Sequence, residues 1–213
     1  MPALFLCATT SHTQICIGQP SLARVHVNAS ANVQTASQGL GFEGRVGIGG
    51  NHAFGGAGVG TISYDKGQKL RSYMGSVIAG YSVQLGSLDM HVCPVASLQM
   101  ENGPDNIVVE PSELVGFGGL SLGGAAKLSN TLSLLPFFGG GFQRIRLHSK
   151  RFNQSAANIY SQQGVAILTG IGLQVKEQYL LHARVKLYSS TQPDNEPRGS
   201  FILGVTYAPS GRR

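Results

Sequence analysis

Nine charged or titratable side chains fall at alternating positions of extended segments, where each group could share one polar face. They are Glu43, Arg45, His91, Glu101, Arg144, Arg146, His182, Arg184 and Lys186. Histidines and carboxylates are the groups that acid–base and nucleophilic catalysis use. On one extended strand, however, His91 and Glu101 would lie about 33 Å apart at ~3.3 Å per residue, so they could not act together. His182 could meet Ser97 or Ser121, but no motif selects either pair. We therefore expect no catalytic residue, no metal site and no cofactor.

These side chains are expected to fill the inside of a closed structure as a network of ion pairs and hydrogen bonds, because buried charges are costly unless they pair. Two other interpretations stay open. Since the set is net positive, it could line a small passive channel that prefers anions. It could also belong to a barrel enzyme that acts on lipid or peptide, which would need a nucleophile or an activated water beside a base. The sequence favours a structural or surface-interaction role.

A repeated alternation of apolar residues with small or polar ones predicts the strands that carry these side chains. In residues 71–85, Tyr73, Val77 and Tyr81 fall on one face and Ser72 and Ser82 on the other. A period of two indicates a strand with different surroundings on its two sides. Ten candidate strands cover about residues 24–34, 40–49, 56–64, 71–85, 90–101, 114–128, 131–147, 164–176, 179–188 and 200–207. The pattern does not settle the inward face of the two glycine-rich strands, 114–128 and 131–147.

The predicted fold is all-β: an antiparallel up-and-down barrel, apolar outside and polar inside, of the kind that can cross a lipid bilayer. A tilted crossing needs about 9–11 residues per strand, which these segments provide. Only 12% of the residues are charged, about half the ~25% of soluble domains. Glycine, at 30 of 213 residues, would leave room for large neighbours inside a narrow barrel. Because the chain has no Trp, its Tyr and Phe residues would have to form the aromatic girdles of such a barrel.

Short and long connections alternate in the second half of the chain. Residues 86–89, 129–130 and 177–178 are tight turns, whereas 102–113, 148–163 and 189–199 are longer and polar. Outer-membrane barrels place short turns in the periplasm and long loops outside. The pattern therefore predicts three external loops and, with an even number of strands, both termini in the periplasm. Ten strands satisfy this parity; eight would result if the glycine-rich third strand and its neighbour were not strands.

The barrel is expected to span residues 24–208, between two segments that do not alternate. We interpret residues 1–23 as the remnant of an export signal peptide, with a disordered or plug-like N-terminal segment as the alternative, and residues 209–213 as a short tail. Cys7 and Cys16 lie in the first segment and Cys93 within a strand. Three cysteines without a closely spaced pair indicate neither a zinc site nor a disulfide framework. Cys93 is therefore expected to be a small packed residue.

Four segments resemble the small outer-membrane β-barrels of diderm bacteria, the OmpA-transmembrane-domain-like and porin-like group. They are residues 76–85, 91–96, 135–141 (Leu-Pro-Phe-Phe-Gly-Gly-Gly) and 201–207 (Phe-Ile-Leu-Gly-Val-Thr-Tyr). The resemblance covers about residues 25–208, and it implies a place in the cell envelope and insertion by the barrel-assembly machinery. Such chains usually end on an aromatic residue that this machinery reads. Here Tyr207 is followed by a short tail, so the signal would be internal.

The net charge of +6 points to an anionic partner. Nucleic acid is not expected, because the basic residues form short pairs rather than a compact run. Outer-membrane lipid and the phosphates of lipopolysaccharide are the simpler partners. Lys150 and Arg151, in a predicted external loop, are the candidates for a lipopolysaccharide contact. We expect the barrel to be a monomer.

Overall fold

A computed structural model describes residues 15–16, 19–20, 27–36, 39–49, 52–65, 69–86, 90–103, 109–151, 158–176, 178–191 and 198–209. Ten long strands follow one another along the chain. They are β1 (Val27–Ala36), β2 (Gly39–Gly49), β3 (Ala53–Asp65), β4 (Lys69–Tyr81), β5 (Met90–Asn102), β6 (Val109–Gly124), β7 (Leu132–Arg151), β8 (Asn158–Val175), β9 (Tyr179–Ser190) and β10 (Arg198–Tyr207). The short strands Val83–Gln84 and Ala126–Lys127 continue β4 and β6.

Every strand pairs antiparallel with its neighbours in sequence, and the last pairs with the first. Tyr207 of β10 lies opposite Ala29 of β1, which closes the sheet into a cylinder. The predicted ten-stranded up-and-down barrel is therefore confirmed, and the alternative of eight strands is wrong. The glycine-rich β3 pairs along its whole length with β4 and from Phe54 to Tyr64 with β2, because an extended backbone can hydrogen-bond without side chains.

The two faces of the wall differ in polarity, as the alternation predicts. Large apolar side chains stand exposed on the outward face, among them Val46, Ile48, Val59, Tyr73, Leu120, Phe138, Phe142, Leu187 and Leu203. The inward face of β1 is polar, with Asn28, Ser30 and Asn32 all buried. No helix in the described part of the chain is long and apolar enough to cross a membrane.

Part of the lumen, the space inside the cylinder, is apolar. One cluster gathers Cys16, Ile78, Cys93, Val95, Phe117, Ile145, Ala166, Leu168 and Tyr188, and a second joins Leu135, Phe137 and Leu180. Met74 and Ile78, which break the alternation of their segment, point into the lumen as apolar exceptions. The interior is therefore filled on one side by packed hydrophobic side chains rather than by water.

A short N-terminal hairpin enters the lumen. Its strands Ile15–Cys16 and Gln19–Pro20 pair with each other, and the first packs against β5, β6 and β7. Cys16 is joined by a disulfide to Cys93 of β5, so the expectation of no disulfide is wrong. The packing of the hairpin against β5 brings together two cysteines 77 residues apart, a proximity that no sequence spacing reveals. Most of residues 1–23, predicted as a signal remnant, lie outside the described residues.

The wall is taller on one side than on the other. Strands β6, β7 and β8 have 16, 20 and 18 residues, whereas β1 and β10 have 10 each. The extra length lies at the end where residues 37–38, 66–68, 103–108, 152–157 and 191–197 join the strands, here called the loop end. The three predicted long loops are therefore shorter than expected, because the backbone ladder continues through their polar residues. The opposite end, where β1 begins and β10 finishes, is the terminal end.

Candidate functional site

A polar centre occupies the lumen between β1, β2 and β4. Oε1 of Glu43 accepts a hydrogen bond from Ser76 Oγ at 2.6 Å. The same oxygen forms an ion pair with Arg45 Nη2 at 2.8 Å. Its Oε2 accepts a hydrogen bond from Asn32 Nδ2 at 3.2 Å. Arg45 Nη2 also lies 3.3 Å from Ser76 Oγ. One buried carboxylate thus organises a small network of charge-assisted hydrogen bonds.

Two residues of β9 border this centre. Arg184 and His182 are 7% and 5% exposed, and the charge of Arg184 acts on both Glu43 and Arg45. Within the described residues, Nε of Arg184 and both ring nitrogens of His182 have no hydrogen-bond partner. Of the residues that the structure describes, Arg45 and Arg184 thus bring two guanidinium groups to the centre and Glu43 brings one carboxylate. Glu43 is the group on which its charge balance depends.

Glycines make the room that these side chains need. A Cβ on Gly58 would lie 2.6 Å from Glu43 Oε1 and 2.9 Å from Ser76 Oγ. A Cβ on Gly204 would collide with Asn32 Oδ1 and with the His182 ring. The idea that glycine admits large lumenal neighbours is correct at these two positions. It is wrong for Gly118, which faces outward with open space above it.

Glu101 and Lys186 lie apart from the polar centre, towards the loop end. Both line a cavity of about 400 Å³. Glu101 belongs to β5 and faces Glu113 of β6 directly in the strand register. Lys186 is the next inward residue after Arg184 on β9. Polar side chains therefore also line the described part of the lumen towards the loop end.

Arg144 and Arg146 do not belong to the lumen, and their predicted placement there is wrong. The inward residues of β7 include Phe137, Gln143 and Ile145, so the alternation turns both arginines outward, where they are exposed. Arg144 Nε donates a hydrogen bond to Ser161 Oγ at 3.3 Å on the outer wall. Apolar residues occur on both faces of β7, which is why the pattern did not identify its inward side.

The backbone of Lys150 and Arg151 belongs to β7 rather than to a loop, since these residues pair with Glu110 and Val109 of β6. Their side chains lie outside the described part of the structure. Their predicted contact with lipopolysaccharide stays a prediction.

His91 is buried near the terminal end beside a serine that the sequence did not single out. Ser82 Oγ lies 3.1 Å from His91 Nδ1, and the two residues are 0% and 3% exposed. A serine–histidine contact is the core of many nucleophilic sites, but here no face of either side chain is open to a substrate. His182 is hydrogen-bonded to neither Ser97 nor Ser121.

Residues 119–123, Gly-Leu-Ser-Leu-Gly, have the spacing of a hydrolase nucleophile elbow. That motif requires a sharp turn from a strand into a helix, which exposes the serine. Here the segment runs straight through β6, and Ser121 is 1% exposed. Nor do the described residues contain a group of three or more His, Cys, Asp or Glu side chains that could hold a metal ion.

No family profile matches the chain, and no curated protein matches it. Among solved structures it is similar to the translocator domain of the autotransporter NalP from Neisseria meningitidis, with 15% identity, a TM-score of 0.52 and coverage of 85% of this chain and 87% of that one. It is also similar to the outer membrane protease OmpT from Escherichia coli, with 8% identity, a TM-score of 0.47 and coverage of 86% and 94%. At such identities the similarity concerns the fold alone. The chain therefore has the fold of the bacterial outer-membrane β-barrels.

Proposed function

We propose that this protein is an integral barrel of the bacterial outer membrane, with a filled lumen and a structural or surface-interaction role. The observation that carries the proposal is the distribution of polarity across the wall. Large apolar side chains cover the outside, with Val59 and Phe142 at 74% and 79% exposed, while Glu43 and Arg184 are buried inside. In water this arrangement would be unstable, whereas in a bilayer it is the expected one.

The outward apolar belt has the height of a bilayer. On β7 it runs from Leu132 to Phe142 and on β8 from Val165 to Val175, which matches the 9–11 residues of a tilted crossing. Tyr179 and Tyr207 stand exposed at the terminal end with ring centroids 5.2 Å apart, where an interfacial aromatic is expected. Since outer-membrane barrels carry their shortest turns in the periplasm, the proposal places the terminal end there and the loop end outside.

A filled lumen supports a structural role over a channel. The apolar cluster around Cys16 occupies one side of the lumen, and the Glu43 centre occupies the other. Clear aqueous channels belong to barrels of about 16–18 strands, well above the ten found here. We expect the wild-type protein to show no steady conductance in planar bilayers. Unitary currents that disappear in the Arg184→Gln variant would favour the anion channel instead.

Two exposed arginines and a hollow lie together on the outer wall at the upper edge of the belt. Arg144 lies directly beyond Phe142 on β7, and both border an outer hollow of about 580 Å³ whose lining includes Gly116 and Gly118. A hollow above glycines can accept an acyl chain, while the guanidinium group reaches the headgroup. We propose that Arg144 and its outward neighbour Arg146 bind the phosphates of outer-membrane lipid or lipopolysaccharide.

The location is tested first, by fractionation and by heat-dependent gel mobility in detergent. We expect the protein in the outer-membrane fraction, with a folded band that shifts on boiling. A protein that stays monodisperse in plain buffer would refute the proposal. The lipid contact is tested by native mass spectrometry: the Arg144→Gln/Arg146→Gln variant should retain less lipopolysaccharide than Arg184→Gln, which removes a buried charge instead.

A further inference from the structure

The N-terminal hairpin lies at the inner end of the cavity at the loop end. Its first strand, Ile15–Cys16, packs against β5, β6 and β7, and Cys16 is 2% exposed. Ile145 and Tyr188 line the cavity of about 400 Å³ and also belong to the apolar cluster around Cys16. Cys93, the disulfide partner of Cys16, stands near the beginning of β5, on the side of the terminal end. The cluster therefore lies between the cavity and the terminal end, where an apolar constriction keeps out water and ions.

The barrel wall beside the hairpin carries small residues. Gly119, Gly141 and Ala166 are neighbours in the register of β6, β7 and β8, and all three face the lumen. They add little side-chain volume to this part of the interior, where Cys16 and Phe117 pack instead. Since protein interiors are packed to high density, loss of the hairpin would extend the loop-end cavity along this wall.

A disulfide ties the hairpin to the wall. The two hairpin strands have two residues each, with Cys16 opposite Gln19. A pair of strands this short is marginal on its own, so the bond from Cys16 to Cys93 contributes much of what holds the hairpin in the lumen. The bond joins residues 77 apart in sequence, and a cross-link over such a separation stabilises the linked state strongly. Whether the hairpin stays in place therefore depends on the oxidation state of these two cysteines.

We propose that the hairpin is a plug, and that the oxidation state of Cys16 and Cys93 at assembly decides whether the barrel is closed or open. The closed form arises when the two thiols give two electrons and two protons to a thiol oxidant, whose own disulfide becomes a dithiol. A barrel assembled with both thiols reduced lacks the tether, so the hairpin leaves its seat and the lumen passes ions. Because ten strands enclose a narrow lumen, the open form admits ions and small solutes only. The inference rests on the proposed membrane barrel and not on the lipid contact at Arg144 and Arg146.

Planar-bilayer conductance tests the proposal on the full-length protein. Wild type refolded with a thiol oxidant is compared with Cys16→Ser/Cys93→Ser, and Cys7→Ser is the matched control because Cys7 is not part of the bond. We expect wild type and the control to stay closed, and the time that the double variant spends in a conducting state to be about tenfold longer or more. Equal conductance of the three folded proteins, whether open or closed, would overturn the proposal. A protein without a heat-dependent gel shift would contradict the membrane barrel itself, and the plug with it.

Thiol reactivity assigns the opening to the hairpin. Cys7→Ser/Cys16→Ser retains Cys93 as its one thiol, since the chain has 3 cysteines. Cys93 is 0% exposed with the hairpin in place, so a charged methanethiosulfonate reaches it in the folded barrel only if the hairpin has left. We expect the folded barrel to gain the mass of the adduct, and a Cys93 that reacts only after unfolding in urea would overturn the proposal. Wild type refolded in dithiothreitol needs no substitution and should conduct like the double variant; if it is folded and closed with both thiols reduced, the plug is refuted.

Discussion

Glu43 is expected to matter more for stability than the arginine with which it pairs. Glu43→Gln keeps the shape of the side chain but removes the carboxylate of the polar centre, beside Arg45 and Arg184. Breaking a buried ion pair by removal of one member costs about 3–5 kcal/mol of unfolding free energy. Arg45→Met leaves Glu43 with Arg184 and with the donors Ser76 and Asn32. That variant should therefore lose about 2 kcal/mol less than Glu43→Gln.

The measurement is urea unfolding of refolded protein in phospholipid vesicles. Because the chain contains no Trp, unfolding is followed by far-ultraviolet circular dichroism and by gel mobility. The double variant Glu43→Gln/Arg45→Met should be more stable than Glu43→Gln alone, since it removes one of the two uncompensated cations. The reasoning is refuted if Arg45→Met destabilises the barrel as much as Glu43→Gln does, or if the double variant is the least stable of the three.

Three further predictions test other parts of the fold by the same unfolding assay. Gly204→Ala should cost about 1–3 kcal/mol by overpacking the polar lumen, whereas Gly118→Ala, in open space, should change stability by less than about 1 kcal/mol; equal effects would contradict the glycine argument. Val59→Lys at mid-belt should cost about 2–4 kcal/mol in a bilayer, and Thr191→Lys at the loop end about 0–1 kcal/mol; a tolerated Val59→Lys would argue against lipid outside. Cys16→Ser should cost about 2–4 kcal/mol and remove the effect of reductant on the unfolding midpoint; a midpoint still sensitive to reductant would speak against this bond.

The sequence was sufficient to predict the barrel because a wall with an apolar outside and a polar inside requires apolar and polar residues to alternate along each strand. On β2, Phe42 and Val46 face out while Glu43 and Arg45 face in, as their alternation predicts. The same logic failed on β7, where Leu135, Phe137 and Ile145 are apolar and yet point inward. An alternation of apolar and polar residues identifies the inward face of a strand only where the two faces differ in polarity. Because this part of the lumen is apolar, β7 has apolar residues on both faces, and the pattern does not distinguish them.

Contacts between distant parts of the chain were beyond reach of the sequence. The hairpin around Cys16 has too few residues to show a period, and its packing site combines β5, β6 and β7. The loop-end cavity likewise needs the ring order, because Glu113 and Lys186 meet across the lumen and not along a strand. The strand ends were misjudged since β7 and β8 stay paired through the polar residues Arg144, Arg146 and His148.

The burial of Cys16 and Cys93 sets an order for biogenesis. Any oxidoreductase that makes a bond between two thiols has to touch a sulfur atom, and both residues are almost wholly enclosed, at 2% and 0% exposed. We therefore expect the bond to form before the first and last strands pair, while an oxidant can still reach the two sulfur atoms. Cells that lack thiol oxidants should then accumulate barrels without a bond between the amino-terminal hairpin and β5.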